Sequence, residues 1–280
     1  MYSTDGNAWQ TFTAGTTTVT LANAGDKMYL KAGSGGNTTF FSFDTFVGWR
    51  FTMTGSIAAS GNVNRLLNDE DPDSATLTMG CYMGVFAGCS SLASAPALPA
   101  TTLAMGCYTE MFQGCTSLVN APALPATTLA DNCYDYMFWG CTSLVNAPAL
   151  PATTLAEACY HGMFENCTSL TTAPVLSATM LAGYCYSGMF YGCSSLTAAP
   201  ALPATTLADA CYQNMFRECY SLSSISVAFT AWNPSSATNT WLAEVAASGT
   251  FTCPAALPNT RGASNIPSGW TKVDTYDFDV

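Results

Sequence analysis

Apolar and polar positions recur through the middle of the chain with a fixed period of 26 residues. The apolar positions carry two cysteines, a tyrosine, a methionine, a phenylalanine and leucines, in an order that scarcely changes between copies. A period of this length predicts units that stack on one another, because a single unit cannot bury its apolar side alone. The expected core is therefore these residues in every copy. The six copies begin at Cys81, Cys107, Cys133, Cys159, Cys185 and Cys211.

Each unit predicts one helical turn followed by short extended segments. In the second copy, Tyr108, Met111 and Phe112 have the i, i+3, i+4 spacing of a helical face. Gly114 suits the end of such a turn, where a positive φ is common. Residues 117–121 are long enough for a short strand, which the following proline ends because it lacks a backbone N–H. The sequence therefore predicts a mainly β chain with short helical turns, coiled into a parallel solenoid.

The chain before the repeats predicts a separate cap. Residues 1–56 lack the period, and short apolar stretches such as residues 27–31 and 51–54 favour strands of a small β domain. Such a domain would cover the open edge of the first coil. Residues 57–80 are expected to form an entry coil, since the rhythm of the repeat begins before the first full copy.

The chain after the repeats predicts a second, less regular cap. We assign residues 81–253 to the solenoid with its C-terminal cap. Within that cap, residues 240–246 favour a short helix and residues 249–253 a last strand. Residues 254–280 contain prolines and glycines and predict an irregular tail.

The repeated phrase resembles the leucine-rich repeats of the BspA-like type. Those repeats carry an Ala-Phe-x-Gly-Cys-x-x-Leu phrase before a short strand and a proline, and Met111 to Leu118 match it in the second copy. The resemblance covers about residues 76–225, although the unit is longer here, in its Ala-Pro-Ala-Leu-Pro-Ala turn. It implies adhesion or recognition without catalytic residues, as in surface proteins of gut bacteria and protists and in phages of gut bacteria.

Composition narrows the expected partners. Charged residues are 9% of the chain and the net charge is -11. Nucleic-acid binding needs clustered Lys and Arg, but the chain has seven in all and only Arg217 lies within the copies. No apolar run is long enough for a membrane span. We therefore expect no nucleic acid and no membrane insertion. The expected partners are proteins or glycans on a cell surface, or neighbouring subunits of a larger assembly.

The first residues carry no secretory signal in this chain. Residues 1–6 lack a basic region followed by an apolar one. The expected location is therefore the cell surface, reached by another route or after removal of a signal, or a virion.

Thirteen cysteines are present, and twelve of them occupy two fixed positions of the repeat. Cysteine packs as a small apolar residue and is among the most buried residue types, so these positions predict ladders inside the core. Two alternatives remain for their chemistry: free thiols, or one bridge across the core of each unit.

The sequence predicts no catalytic or zinc site. His161 is the single histidine and lies near Cys159 and Cys167, which suggests a Cys–His pair. Those two cysteines, however, belong to the series of twelve in near-identical contexts. We call the equivalent position in each copy a slot. The slot of His161 holds unrelated residues in the other copies, so we expect it to be exposed and unconstrained. The spacing of the two cysteines is also unlike that of common zinc sites.

An acidic loop at residues 68–73 permits a calcium site. Asp69, Asp71 and Asp73 offer the carboxylates that calcium prefers. Their spacing does not match an EF-hand loop, and a solvated turn is the simpler interpretation.

The slots that vary between copies hold the candidate binding residues. Trp139 and Tyr191 share one slot, and Tyr136 occupies the slot three residues earlier, so all three are expected on one exposed face. Exposed aromatic side chains stack on sugars or anchor protein interfaces. Asn120 and Asn146 lie on the outward side of the short strand and make a second candidate face. The simpler alternative is a surface that tolerates any side chain.

These observations predict a non-enzymatic, surface-exposed protein that recognises a protein or glycan partner through the solenoid face. The alternative is a structural component of a virion or appendage, such as a phage fibre or a capsid decoration protein. The absent signal and the low charge favour this alternative.

Overall fold

A computed structural model describes residues 1–11, 13, 18–23, 25–32, 41–42, 47–48 and 50–275. Within these residues the chain is mainly non-helical, and its helices are two short 3₁₀ segments, Val63–Leu66 and Pro72–Ser74. Neither of these described helices has the length and apolar content needed to cross a bilayer. The strands are β1 Tyr2–Ser3, β2 Tyr29–Leu30, β3 Phe41–Ser42, β4 Val47–Gly48, β5 Ile57–Ala58, β6 Leu92–Ser94, β7 Ser224–Ser226, β8 Gly249–Pro254 and β9 Trp270–Thr275.

The described strands form four small sheets. β1 pairs antiparallel with β2, and β3 pairs antiparallel with β4. β5 pairs parallel with β6, while β7, β8 and β9 form a parallel sheet of three strands. The strand predicted at residues 27–31 is present as β2, but residues 51–54 form no strand. Phe51 instead donates its N–H to the carbonyl of Val85, which lies within the first repeat.

A ladder of backbone hydrogen bonds joins the turn segments of consecutive repeats. The turn segment of the second repeat runs from residue 106 to residue 114, and equivalent stretches recur in the others. Every second amide in it donates to a carbonyl 25 residues further along the chain. In the second repeat the donor–acceptor pairs, at 2.7–3.0 Å, are Gly106–Asp131, Tyr108–Cys133, Glu110–Asp135, Phe112–Met137 and Gly114–Trp139.

The remaining amides of a turn segment bond within their own repeat. Met111 donates to the carbonyl of Tyr108 at 3.2 Å, and Gln113 donates to the carbonyl of Glu110 at 3.0 Å. These i→i−3 bonds define successive tight turns, so the predicted helical turn is wrong. An α-helix would use these amides in i→i−4 bonds, whereas here half of them are required for contact with the next repeat.

The extended segments contribute little regular sheet. Within the described repeats, β6 lies in the first copy and β7 follows Leu222 of the sixth copy. Between them the strand predicted at residues 117–121 is reduced to a single bridge at Asn120. The prolines explain the short pairing, because each removes one N–H donor from the ladder. The isolated parallel bridges between extended segments of the repeats are Thr102–Thr128, Asn120–Asn146, Asn146–Thr172, Thr154–Met180, Ala198–Ser224 and Leu202–Val227.

Two columns of aromatic rings fill the interior of the repeats. Neighbouring tyrosine rings are 5.7–6.1 Å apart with planes within 12° of parallel. Neighbouring phenylalanine rings are 5.5–5.7 Å apart with equally parallel planes. The predicted core is largely confirmed: the repeat cysteines, tyrosines and phenylalanines, the methionines that precede phenylalanines and most leucines are buried. The leucines Leu129, Leu155 and Leu181 are only half-buried. The columns are Tyr82, Tyr108, Tyr134, Tyr160, Tyr186, Tyr212 and Phe86, Phe112, Phe138, Phe164, Phe190, Phe216.

Contact with the repeats begins earlier than the predicted entry coil at residues 57–80. The ring of Phe51 lies 5.4 Å from that of Phe86 and so extends the phenylalanine column by one member. Ile57 then donates its N–H to the carbonyl of Ser91 at 3.0 Å. Residues 51–57 therefore pack directly against the core of the repeats.

The helix predicted at residues 240–246 is wrong, because residues 237–244 form one more turn segment. Tyr212 donates to the carbonyl of Ala237 at 2.8 Å and Phe216 donates to the carbonyl of Trp241 at 2.9 Å, with the usual spacing of 25 residues. The ring of Trp241 lies 6.1 Å from that of Tyr212 and extends the tyrosine column. The stacking register therefore continues after the recognisable motif has ended.

The tail predicted to be irregular, residues 254–280, contains strand β9. It pairs along its whole length with β8, so β8 is a strand as predicted but is not the last one. Trp270 anchors β9: its ring is buried and its Nε1–H donates to the carbonyl of Ala246 at 2.8 Å. The ring packs against Gly249, where a Cβ would overlap it. Residues 276–280 lie outside the described residues.

Candidate functional site

The turn segments present the variable slots on one side of the repeats, and their backbone is left-handed at every fourth residue. The slot of Tyr136 is one such position, with φ of +50° at Tyr136, +55° at Gly162 and +61° at Gly188. Glycine adopts this conformation without strain, whereas other L-residues pay about 1–2 kcal/mol. Variation in this slot is therefore limited by the backbone, and the slot does not tolerate every side chain equally.

Tyr136 packs against the next repeat. Its ring meets the ring of His161 edge-on, with centroids 4.8 Å apart. It also lies over Gly162, where an added Cβ would overlap it. Tyr136 is therefore half-buried and held in place, which differs from the fully exposed aromatic that the sequence predicts.

His161 is also more constrained than the sequence predicts. Its Nδ1 lies 2.8 Å from Oδ1 of Asp135, the residue in the same slot of the preceding repeat. Two members of this slot, Thr109 and Ser187, are buried, and the Thr109 hydroxyl donates to the carbonyl of Asn132 at 2.8 Å. The slot therefore faces neighbouring repeats and is not an unconstrained surface position.

Trp139 is exposed, as predicted, and its indole fixes a carboxylate. Its Nε1–H donates to Oε1 of Glu165 at 3.2 Å, one repeat further on in the same slot. The second oxygen, Oε2, lies 3.6 Å from where a Cβ on Gly188 would stand. Burial raises the pKa of the Glu165 carboxyl above its usual value. One carboxylate oxygen is thus occupied and the other faces a position without a side chain.

Tyr191 follows Glu165 in the same slot and is half-buried. Its hydroxyl donates to Oε1 of Glu218 at 2.7 Å, and the guanidinium carbon of Arg217 lies 5.7 Å from the centre of its ring. Tyr136, Trp139 and Tyr191 therefore lie in equivalent turn segments, where Tyr136 contacts His161 and Trp139 contacts Glu165. We call these five residues the aromatic–acid cluster.

Asn120 and Asn146 belong to a different segment of the repeat. Both are exposed, and they are bridged to each other as parallel neighbours. The buried Cys141 and Leu144 separate Asn146 from Trp139 along the chain. The five candidate partner-binding residues therefore belong to two different segments of the repeat, the turn segment and the extended segment.

The cluster could have been found more completely from the sequence. Aligning the copies places Glu165 between Trp139 and Tyr191 in one slot, and Asp135 directly before His161 in another. The side-chain contacts between repeats required the structure, because the period gives the order of residues in a slot but not their conformations.

The cysteines form no bridge and no thiolate site. All thirteen are unpaired and buried. Burial raises the pKa of the Cys133 thiol to about 12 and that of Cys159 well above its usual range. Nδ1 of His161 is directed at Oδ1 of Asp135, 2.8 Å away. The free-thiol alternative is therefore the one found, and the thiols are core residues.

The acidic loop does not gather its carboxylates around one point. Asp69 lies 3.1 Å from Nζ of Lys31 and 3.0 Å from Nη1 of Arg65, while Oδ1 of Asp73 accepts a hydrogen bond from Asn62 at 3.3 Å. Across the described part of the chain, no three His, Cys, Asp or Glu side chains are arranged to hold a metal ion. The calcium interpretation of Asp69, Asp71 and Asp73 is therefore not supported.

Comparison with protein-family models, curated proteins and solved structures finds no match to this chain. The resemblance to BspA-like repeats therefore stays a prediction from the sequence.

Proposed function

We propose that the chain is a parallel solenoid of leucine-rich-repeat type, and that its turn face recognises a protein or glycan partner at a cell surface. One observation carries the proposal: the buried frame repeats almost unchanged, while the outer slots differ and hold the aromatic–acid cluster. Core packing explains why the buried positions repeat, but it does not explain an exposed indole that is hydrogen-bonded to a carboxylate. Aromatic side chains with fixed polar neighbours are common anchors of recognition surfaces.

The chemistry of the cluster supports a role without catalysis. The nearby thiols are buried, and their raised pKa keeps them neutral, so they do not supply a nucleophile. His161 is directed at Asp135, and Glu165 accepts a hydrogen bond from Trp139. These contacts hold side chains in position, as binding surfaces require.

Binding to cells tests this proposal. The full chain, displayed in many copies on beads, is expected to adhere to cells, because solenoid faces make extended contacts that gain from avidity. The double variant Trp139→Ala, Tyr191→Ala should lose adhesion, while the matched variant Asn120→Ala, Asn146→Ala on the other face should retain it. Adhesion that depends on the asparagines alone, or no adhesion to any cell type, would contradict the assignment of the turn face.

A structural virion component is the second candidate, and the cysteines favour it. Thirteen unpaired thiols suit a protein that folds in a reducing compartment, where virion parts are made. Mass measurement in solution separates the two candidates. A monomer that adheres to cells supports recognition, whereas an obligate oligomer that fits a larger particle supports the structural role.

A further inference from the structure

The extended part of the repeats carries an uncharged, proline-rich stretch of six residues in each of the first five copies. Its wording is Ala-Pro-x-Leu-x-Ala, and no charged residue occurs in any of the five. The leucine is buried in every one, while the third residue, usually alanine, is exposed. Because consecutive repeats stack, the exposed third residues form a row. We call these stretches the proline segments: residues 95–100, 121–126, 147–152, 173–178 and 199–204.

A groove of about 400 Å³ lies between the second and third proline segments. It is lined by residues 121–125 on one side and by Pro148, Ala149 and Pro151 on the other. Proline has no backbone N–H, and the N–H groups of Ala123 and Ala149 donate to no carbonyl within the described residues. Ladder bonds therefore do not join the two segments at this point, and the lining of the groove is apolar.

The fourth proline segment departs from the others and exposes a larger side chain. Val175 stands where the other four segments have alanine. Met180, two residues after the segment, stands where the equivalent residue in the other four copies is threonine. Their exposed fractions of 76% and 80% are the highest of any large apolar side chain in the described part of the chain. Core packing does not account for these two changes, because neither side chain reaches the core. We call Val175 and Met180 the apolar projection.

The groove and the projection are neighbours in the stack. Val175 follows Ala123 and Ala149 in the row of exposed third residues, and those two alanines line the groove. A chain that carries a groove and a projection side by side can pair with its own copy about a two-fold axis, because each projection then meets the groove of the other chain. An axis normal to the row, between the third and fourth proline segments, also overlays the remaining segments in reverse order.

Charge and size both favour a contact of limited strength at this place. The net charge of -11 opposes self-association, so contact is least costly where no charge lies, as in the proline segments. Five segments of six residues, at about 3.3 Å per residue and about 4.8 Å between repeats, present about 480 Å² per chain. Two chains would then bury about 1,000 Å² in total, the lower end of specific interfaces. A pair of this size is expected to dissociate on dilution.

We propose that the proline segments form the contact of a reversible two-fold dimer. In it, Val175 of each chain enters the groove between the second and third proline segments of the other chain, and Met180 packs beside it. Methionine suits this place because its flexible side chain fills irregular gaps. The contact uses no turn segment, so it is independent of the recognition function proposed above. A closed, reversible pair also differs from the obligate oligomer expected of a virion component.

Three variants separate the projection from the groove. Val175→Ala with Met180→Thr removes the projection and restores residues that the other copies carry at these positions, so the fold is expected to be retained. Ala149→Glu places a charge in the groove at an exposed position. The matched control is Val273→Ala with Met105→Thr, which makes the same exchanges at exposed side chains outside the proline segments.

Sedimentation equilibrium of the full chain, in the presence of a reductant and from about 1 to 100 µM, measures the dissociation constant of the dimer. Wild type is expected to dimerise within this range. The projection variant and Ala149→Glu should each raise the dissociation constant by about tenfold or more, while the control should leave it within about twofold. Thermal unfolding of each variant checks that the fold is retained.

A mixture of the two defective chains gives the sharpest test. The projection variant keeps an intact groove, and Ala149→Glu keeps an intact projection, so the two should pair with each other more tightly than either pairs with itself. A mixture that stays as weakly associated as its components would refute the fit of projection into groove.

Two further results would overturn the proposal in different ways. Wild type that is monomeric at about 100 µM removes the dimer, and if the projection variant then loses adhesion to cells while the control retains it, the projection binds a different protein. A trimer, or association that continues to larger species as concentration rises, removes the two-fold arrangement. Loss of the dimer with unchanged adhesion leaves the recognition function standing, and a dimer that adheres to no cell leaves this contact standing without it.

Discussion

The Sγ–H of Cys141 donates a hydrogen bond of 3.1 Å to the backbone carbonyl of Phe112, which belongs to the preceding repeat. That carbonyl also accepts the N–H of Cys115 from its own repeat, at 3.1 Å. This buried position needs a small apolar side chain that also carries a hydrogen-bond donor, and cysteine has both properties. The same thiol-to-carbonyl bond recurs in Cys115–Phe86, Cys167–Phe138, Cys193–Phe164 and Cys219–Phe190.

Removing one of these thiols should weaken the stack locally. Cys141→Ala deletes the bond to Phe112 and leaves a small cavity, so we expect the free energy of unfolding to fall by about 1–2 kcal/mol. Urea titration followed by tryptophan fluorescence measures it. The control Thr142→Ala changes an exposed neighbour and should shift stability by less than about 0.5 kcal/mol. Equal effects of the two substitutions would show that the thiol is not specifically required.

Alkaline pH should unfold the protein. The ordinary thiol pKa is 9.0, and burial raises it to about 12 in Cys81 and Cys133 and to about 11 in Cys211. These groups are protonated in both states below pH 9, so their contribution to stability is complete there. Above pH 9 the unfolded state ionises first, and each thiol lowers stability by about 1.4 kcal/mol per pH unit until its folded pKa is reached.

Several such thiols together remove about 5 kcal/mol per pH unit, which is comparable with the total stability of a domain. We therefore expect a steep, cooperative unfolding transition between pH 9 and pH 12. Circular dichroism in the presence of a reductant records it, and return to pH 8 tests reversibility. A native spectrum that persists at pH 12 would contradict the neutral, buried state of the thiols.

The phenylalanine column should carry much of the stability. Phe138→Ala removes one ring between Phe112 and Phe164 and should cost about 3–5 kcal/mol. The next residue, Trp139, lies on the exposed face, so Trp139→Ala should cost about 1 kcal/mol or less. Chemical denaturation of both variants gives the comparison. A larger loss from Trp139→Ala than from Phe138→Ala would reverse the assignment of inside and outside.

A left-handed alanine offers a stabilising substitution. Ala158 has φ of +49°, which costs an L-residue about 1–2 kcal/mol. Ala158→Gly relieves this strain, and the extra flexibility of the unfolded chain offsets about 0.5–1 kcal/mol of the gain. We expect a net stabilisation of about 0.5–1 kcal/mol by urea titration. The control Ala156→Gly, outside the left-handed positions, should destabilise by a similar amount, so two changes of the same sign would contradict the prediction.

The core could be predicted from the sequence because burial follows directly from the repeated apolar positions. The backbone conformation of the turn segments could not be predicted, because the spacing of Tyr108, Met111 and Phe112 fits both a helix and successive tight turns. What separates these structures is the bonding partner of alternate amides, and that partner is 25 residues away. Phe51 was missed for a similar reason, since it joins the phenylalanine column from outside the periodic region.

The candidate site was partly predictable. Trp139 was correctly placed on the exposed face, because its slot changes while its neighbours do not. Its hydrogen bond to Glu165 and the contact of Tyr136 with His161 depend on rotamers and on a left-handed backbone that no apolar pattern encodes.

The ladder of backbone hydrogen bonds between turn segments runs in one direction, so the two ends of the array differ. The amides of each turn segment donate to carbonyls of the next repeat, and its own carbonyls accept from the preceding repeat. The last turn segment therefore needs other acceptors. The N–H groups of Thr240 and Leu242 donate to Oγ of Ser264 and to the carbonyl of Ala263. Interior repeats make the same backbone bonds to both neighbours, so we expect that whole 26-residue repeats can be inserted or removed between the two ends. The N-terminal and C-terminal ends of the array therefore need different partners and are not interchangeable.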